Sequence, residues 1–359
     1  MEFAHEFRTN SQGLRYPEIP LKKPNSEYRF LVLGDSVAEG YGVESHQTFS
    51  ALLEQQLSSD TKKIRFINCG VSSSSPITYA RVFFHIGLKY DPDAVLIVLH
   101  ANDLTNTRPM SKSMLLKVIY TPNPGVEPRS TIKRLVYNLW PNFYMFVRTQ
   151  IKANSNNNNS KPLKPQEWIE RICQRAKQKG ISEGSITKWR RRLPINLVKA
   201  AVEGRIEESI LFRGLLDPDY WVESLDIQGR QAEAKWRTMI ATLSEIIKEC
   251  RKRHLWVGLM LAPSAFQFDP NFGRVQKLVG WRIKPEWISQ PTELEKRLYR
   301  WSKEQNLPFL NLTPYFRKAS KEKPGIFNYR IEDRFTPQGH QLIASLVLQW
   351  LIKERAIPE

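Results

Sequence analysis

Phe30-Leu31-Val32-Leu33-Gly34-Asp35-Ser36, continued by Val37-Ala38-Glu39-Gly40, is the stretch that decides the fold. Its apolar residues follow one another without polar alternation, the mark of a parallel strand buried on both faces. The strand ends in Gly-Asp-Ser and the chain turns at once into a helix. A parallel strand of an α/β sheet presents its C-terminal end to the ligand crevice. A serine there, beside the free N–H groups of a helix N-terminus, stands where a nucleophile is useful. Read alone, the same serine is equally a helix cap.

Three further segments follow in the chain. Ile64-Arg65-Phe66-Ile67-Asn68-Cys69-Gly70-Val71-Ser72 is a strand running into a glycine and a serine-rich loop. Ala94-Val95-Leu96-Ile97-Val98-Leu99-His100-Ala101-Asn102-Asp103 is a strand ending in Asn-Asp. Glu332-Asp333-Arg334-Phe335-Thr336-Pro337-Gln338-Gly339-His340 leads into an apolar helix that Thr336 caps and Pro337 opens. More strand signals fall at 255–261 and 308–312, with helices expected at 46–58, 76–89, 165–179, 186–201 and 231–253. The expected architecture is a three-layer α/β/α, flavodoxin-like sheet of about five parallel strands. Its order 2-1-3-4-5 sets the first and third strands side by side, which brings Ser36 and Asn102 together.

Together these segments resemble the blocks of the GDSL/SGNH hydrolase superfamily. The resemblance covers residues 29–104 best and returns at 215–265 and 305–350. It implies a serine ester hydrolase or acyltransferase in which Ser36 attacks the acyl carbonyl. Gly70 and Asn102, with the Ser36 N–H, would form the oxyanion hole. The resemblance further implies an Asp and a His just before the last helix. Here the chain departs from the pattern, because Arg334 stands where that histidine belongs, with Glu332 two residues before it and Asp333 adjacent. Arginine keeps its proton at any working pH and cannot serve as base. It would instead attract an anionic part of a ligand, with Glu332 beside it. Four readings stay open at this point. The chain is a pseudo-hydrolase that keeps the pocket; or it is active with Asp333 and His340, or another histidine, as base; or it is active with an unidentified base or at a reduced rate; or Arg334 is an altered position. His100 occupies a place that is often glycine in the family, and its side chain is a candidate for substrate binding or proton transfer. His5, His46, His85 and His254 read as structural.

The bulk numbers limit the rest. The 359 residues are enough for a full core, and 41% hydrophobic with 25% charged residues is a globular composition. No apolar run reaches membrane-spanning length, and the N-terminus lacks a signal-peptide profile, so the expectation is a cytoplasmic chain without a transmembrane segment. Cys69, Cys173 and Cys250 lie far apart, at no ligand spacing, which predicts reduced thiols and no metal site. Acyl transfer through a serine needs no cofactor, and none is expected. The net charge is +18, yet the first 100 residues hold 10 Lys and Arg against 11 Asp and Glu. The excess lies after the third strand, a surface that would attract anionic polymers or headgroups, so a membrane-surface or nucleic-acid-associated factor built on the basic insertion stays an alternative. The expected substrate is a small-molecule or glycan ester, an anionic surface is a candidate partner, and nucleic acid is not the expected one. The expected organisation is a lead-in at 1–28, a first half of the sheet at 29–103, a basic, mainly helical insertion at 104–230 and a second half at 231–359. An Asn-rich linker at 154–160 and an aromatic stretch at 135–147 fall inside the insertion.

Overall fold

The structure is a computed structural model and describes residues 5–59, 63–122 and 164–358. The Asn-rich and aromatic stretches of the insertion lie outside the described residues. Five strands form one parallel sheet: β1 (Glu27–Gly34), β2 (Lys63–Gly70), β3 (Ala94–His100), β4 (Trp256–Ala262) and β5 (Phe309–Asn311). Their order is β2-β1-β3-β4-β5, as the flavodoxin-like expectation has it. Residues 30–33 of β1 and 94–98 of β3 are fully buried. Helices on both faces therefore explain why these strands read as unbroken apolar runs.

After β1 the chain forms the short helix α1 (Ser36–Glu39), then α2 (Phe49–Leu57), which crosses to β2. The expected helix at 46–58 is interrupted because Thr48, extended at φ −65 and ψ 148, caps α2 instead of continuing into it. Helix α3 (Pro76–His85) carries the chain from β2 to β3, and α4 (Asp103–Asn106) and α5 (Lys112–Tyr120) follow β3. Between α5 and β4 the chain continues with α6 (Pro165–Gln178), α7 (Glu183–Arg192), α8 (Ile195–Val202), α9 (Glu208–Leu216) and α10 (Tyr220–Asp226). The sequence expectation of one helix over 186–201 is corrected here. Pro194 caps α8 at φ −69, and a proline ring forces the residue before it out of helical geometry. The long helix α11 (Gly229–Lys252) buries Ala232, Lys235, Met239, Leu243, Ile246, Ile247 and Cys250, a stripe at helical spacing, and leads into β4. Helices α12 (Pro270–Leu278), α13 (Glu293–Glu304), α14 (Thr313–Glu322) and α15 (Pro337–Lys353) complete the layers.

The buried residues fall into two clusters. The larger one sits on both faces of the sheet. The smaller one joins Trp168, Ile172, Trp189, Val198 and Leu211 of the inserted helices to Val279 beyond α12. Two glycines let these helices meet the rest of the chain backbone against backbone. A Cβ on Gly214 would come within 2.6 Å of the Trp281 nitrogen, and one on Gly280 within 2.9 Å of the Gly214 carbonyl carbon. Trp189 of the run Lys188-Trp189-Arg190-Arg191-Arg192 belongs to this core, and its indole N–H donates to the Leu211 carbonyl at 3.0 Å. The cations of the run lie on the outer face of an amphipathic helix whose buried side Trp189 forms.

The N-terminal lead-in acts on the site through one side chain. Arg15 is buried, and its guanidinium donates to the carbonyls of Glu39 (3.1 Å), Gly40 (2.6 Å) and Val43 (2.6 Å). These are the orphan acceptors at the end of α1, where Gly40 turns the chain at φ +77. Arg15 in effect clamps the helix that Ser36 opens.

Candidate active site

Asp35 organises the crest of β1. It is fully buried, and Oδ1 accepts from the Val37 N–H at 2.9 Å, capping α1. Its other oxygen, Oδ2, accepts from the Ser36 hydroxyl at 3.2 Å and from the Asn102 amide at 3.2 Å. Ser36 Oγ and Asn102 Nδ2 therefore lie no farther apart than twice 3.2 Å. The adjacency of β1 and β3 produces this meeting, since Asn102 follows directly on β3. Asn102 Oδ1 is buried without a hydrogen-bond partner among the described residues.

Gly70 ends β2 beside Gly34, and a Cβ there would sit 2.1 Å from the Glu39 nitrogen. Its lack of a side chain is what lets α1 cross β2 in contact. The Gly70 N–H donates to Asn68 Oδ1 at 3.0 Å, so the group expected to face an oxyanion is satisfied within its own strand end. The serine-rich loop that follows holds a feature the sequence reading missed. Ser73 takes φ +58, a left-handed conformation that costs a non-glycine residue about 1 kcal/mol or more. Ser72 bonds through its hydroxyl to the buried carboxylate of Glu39, whose pKa burial pushes up.

Beneath Asn102 lies a second buried carboxyl. Asp103 accepts from the Tyr79 hydroxyl at 2.5 Å and from the His100 backbone N–H at 2.8 Å. Burial, and then the charge of Asp35, push its pKa well above the usual carboxylate range. The His100 side chain is buried at the end of β3. Its ring meets Trp221 of α10 edge-on, 6.3 Å between centroids, and its Nε2 lies 3.9 Å from Asp333 Oδ2. Asp333 is held by the loop after β4, where the Ala265 N–H donates to Oδ1 at 2.8 Å and the Ser264 hydroxyl bonds to Oδ2.

The remaining expected residues separate. Thr336 caps α15 through the Gly339 N–H at 3.2 Å and Pro337 opens it, as the sequence predicts. Arg334 stacks its guanidinium 5.2 Å from the Tyr41 ring centre and donates to the Asp333 carbonyl at 2.8 Å. Tyr41 donates its backbone N–H to the Ser36 carbonyl at 3.0 Å, which brings the cation to the wall of α1. Glu332 is buried in the same loop. His340 faces elsewhere. Its Nδ1 accepts the Phe49 N–H at 3.2 Å, its ring stacks on Phe49, and burial lowers its pKa to about 3. That lone pair is already engaged by the first turn of α2, far down the basicity scale from a working base. Cys69, Cys173 and Cys250 are all buried and unpaired, and among the described residues no group of three His, Cys, Asp or Glu side chains could hold a metal ion. No described helix is long and apolar enough to cross a membrane.

No family model matches this chain, and the comparison with curated proteins found no match. Among solved structures, it is similar to a lipase/acylhydrolase from Enterococcus faecalis, at 13% identity and a TM-score of 0.39, over 92% of this chain and 98% of that one. A psychrotrophic esterase from Pseudoalteromonas shares 12% identity at a TM-score of 0.39, over 92% of this chain and 99% of that one. An acetylxylan esterase from Geobacillus stearothermophilus shares 12% at 0.40, over 90% and 94%. Likenesses this remote carry nothing about the site, which rests on its own geometry.

Proposed function

We propose that Ser36 is the nucleophile of an SGNH-type ester hydrolase or acyltransferase acting on an acylated carbohydrate or lipid. The observation that carries this reading is the shared Asp35 oxygen, which gathers the Ser36 hydroxyl and the Asn102 amide at the C-terminal ends of adjacent parallel strands. As Ser36 Oγ bonds to the acyl carbon, the carbonyl electron pair moves onto oxygen. The Asn102 amide and the Ser36 N–H are the donors at hand, each such donor being worth about 2.7–4 kcal/mol in the transition state.

Substrate charge is the second element of the proposal. A cavity of about 550 Å³ opens where α7 meets the segment after α12, lined by Lys188, Arg192, Lys277 and Arg282 over a floor of Trp281. Arg282 pairs with Asp219, and among the described residues no carboxylate contributes to the lining. Trp281 packs 6.1 Å from Trp221, which in turn meets His100 edge-on, so the buried Trp221 ring stands between this cationic hollow and the end of β3. It favours a substrate with anionic substituents, and Arg334 on Tyr41 adds a further cation near α1.

A fluorophosphonate probe, which labels only an activated serine, tests the reading on the full chain. Labelling that disappears in Ser36→Ala supports it. Absence of labelling in the wild type would favour the second reading, a non-catalytic binder of acylated or anionic ligands. The arginine in place of a base histidine is the observation behind that alternative.

A further inference from the structure

We infer that Lys235 of α11, together with Ser224 and Glu223 of α10, positions the Asn102 amide by locking the short helix α4 that Asn102 opens. The inference rests on the reading of Ser36 as nucleophile and Asn102 as its oxyanion donor. It adds to that reading the residues that keep the donor in place.

Asn102 has little of its own to hold it. Among the described residues its amide donates only to Asp35, and its Oδ1 has no partner. The aim of the side chain therefore depends on the backbone, which serves as N-cap of α4 at φ −77 and ψ −13 and accepts the Asn106 N–H at 2.9 Å. Helix α4 is only four residues long. So short a helix barely offsets the cost of its own nucleation, and most of its polar groups have no partner within it. The partners come from 114 to 130 residues further along the chain. The Thr105 N–H donates to Ser224 Oγ at 3.3 Å, and the Thr105 hydroxyl donates to the Tyr220 carbonyl at 2.9 Å. The Tyr220 hydroxyl donates to Asn106 Oδ1 at 2.9 Å. Lys235 is buried; its Nζ donates to the Thr105 carbonyl at 2.9 Å and pairs with Glu223 at 2.6 Å. Asp103, the first residue of α4, is held separately by Tyr79 and by the His100 N–H.

Both peptide groups of Thr105 are thus gripped, one by Ser224 and the other by a charged donor, which bonds a carbonyl more strongly than a neutral one. A buried ion pair is a weak source of stability, since apolar residues of similar size often hold a core as well. What Lys235 and Glu223 supply is direction at one carbonyl, three residues from Asn102. Direction matters there because an oxyanion donor counts only at about 2.7–3.1 Å from the developing charge. A displacement of about 1 Å costs up to about 10²-fold in rate.

The test is the rate of fluorophosphonate labelling at Ser36 in the full-length chain as the probe concentration is raised, with thermal unfolding recorded for each variant. Lys235→Met is expected to lower the limiting rate at saturating probe by about 10-fold to 10²-fold. The half-saturating concentration stays nearly unchanged, because the donor acts on the transition state and not on probe binding. The same variant strands the Glu223 carboxylate and loses stability. Lys235→Met combined with Glu223→Ala removes that charge but still leaves the Thr105 carbonyl without its donor. Stability should then recover in part while labelling stays slow. Glu233→Gln, on the same helix, gives up an ion pair with Arg297 of α13 at 2.7 Å and is expected to label at the wild-type rate. A folded Lys235→Met with the wild-type limiting rate overturns the inference and leaves Ser36 as nucleophile. So does recovery of labelling together with stability in the double variant, or equal slowing in Glu233→Gln. Should both Lys235 variants fail to fold, Ser224→Ala decides by the same measure, a slowed limiting rate supporting the inference and an unchanged one overturning it. A wild-type chain that the probe does not label overturns the nucleophile reading itself, and this inference with it.

Discussion

His340 sets how this fold responds to acid. Its ring is enclosed between α15 and α2, stacked on Phe49, with Nδ1 accepting the Phe49 N–H. Burial, assisted by the positive charge of Arg15, depresses its pKa from 6.5 to about 3. A depressed folded pKa means that the unfolded chain takes up the proton first. The stability contributed by the neutral ring is therefore complete above the unfolded value of 6.5 and drains away as the pH falls toward 3. Linkage between those two values gives a loss of about 3 kcal/mol between pH 7.5 and pH 4, a large part of the 5–15 kcal/mol that typically holds a protein folded.

His340→Asn isolates this effect, because its Oδ1 can keep an acceptor near the Nδ1 position without titrating. The variant is expected to lose about 1–2 kcal/mol at pH 7.5 from imperfect filling of the space. On acidification it should then lose about 3 kcal/mol less than wild type, so that the two stability curves converge or cross. Buried carboxyls that are pushed up, Asp103 and Glu39, act in the opposite sense, favouring the fold at low pH. They are common to both proteins and cancel in the comparison. Urea unfolding at a series of pH values reads the difference directly. Parallel curves for wild type and variant from pH 7.5 to pH 4 would refute the reasoning and return His340 to the list of titrating, accessible groups.

Gly70→Ala places a methyl group 2.1 Å from the Glu39 nitrogen, and backbone cannot yield there as a flexible side chain would. The expected cost is about 3 kcal/mol or more of stability together with loss of Ser36 labelling, because α1 must lift; unchanged unfolding in denaturant would disprove the contact. The cavity proposal predicts that Lys188→Gln, Arg192→Gln and Lys277→Gln together weaken binding of a sulfated or carboxylated oligosaccharide and flatten its salt dependence. Titrations at two ionic strengths, with a neutral oligosaccharide, anionic vesicles and an oligonucleotide as parallel probes, check both the site and its preference. Equal losses on every anionic probe would mean a general basic face.

The sheet was legible because its strands are covered on both faces, which writes them as uninterrupted apolar runs, and because each of the first three ends in a distinctive turn. Asn102 beside Ser36 follows from strand order alone. The inserted helices were harder to read, since their cations mark a face and not a boundary, although Pro194 is a break the sequence does display. Trp189 stands in a cationic run that marks an exposed helix face, and only the second core shows that its ring is turned inward. Gly70 is legible as a small residue at a strand end, but nothing local says that its N–H would turn to Asn68. His100 and Asp333 are far apart in the chain and joined only by the fold, so their pairing leaves no trace in local periodicity.

The same geometry decides which substitution can report on the chemistry. Asp35 uses both oxygens, one on the Val37 N–H and the other on Ser36 and Asn102. Removing the Ser36 hydroxyl leaves Asp35 Oδ2 with Asn102 and Oδ1 with its cap, so no buried acceptor is stranded. Replacing Asp35 by Asn is different in kind. An amide nitrogen would face either the Val37 N–H or the Asn102 amide, donor against donor, in a site with no exposure to water. The helix that presents the serine would lose its cap at the same moment, a further cost of about 1 kcal/mol. An inactive Asp35 variant would therefore say little about proton transfer, whereas a folded, unlabelled Ser36→Ala separates the nucleophile from the scaffold that holds it.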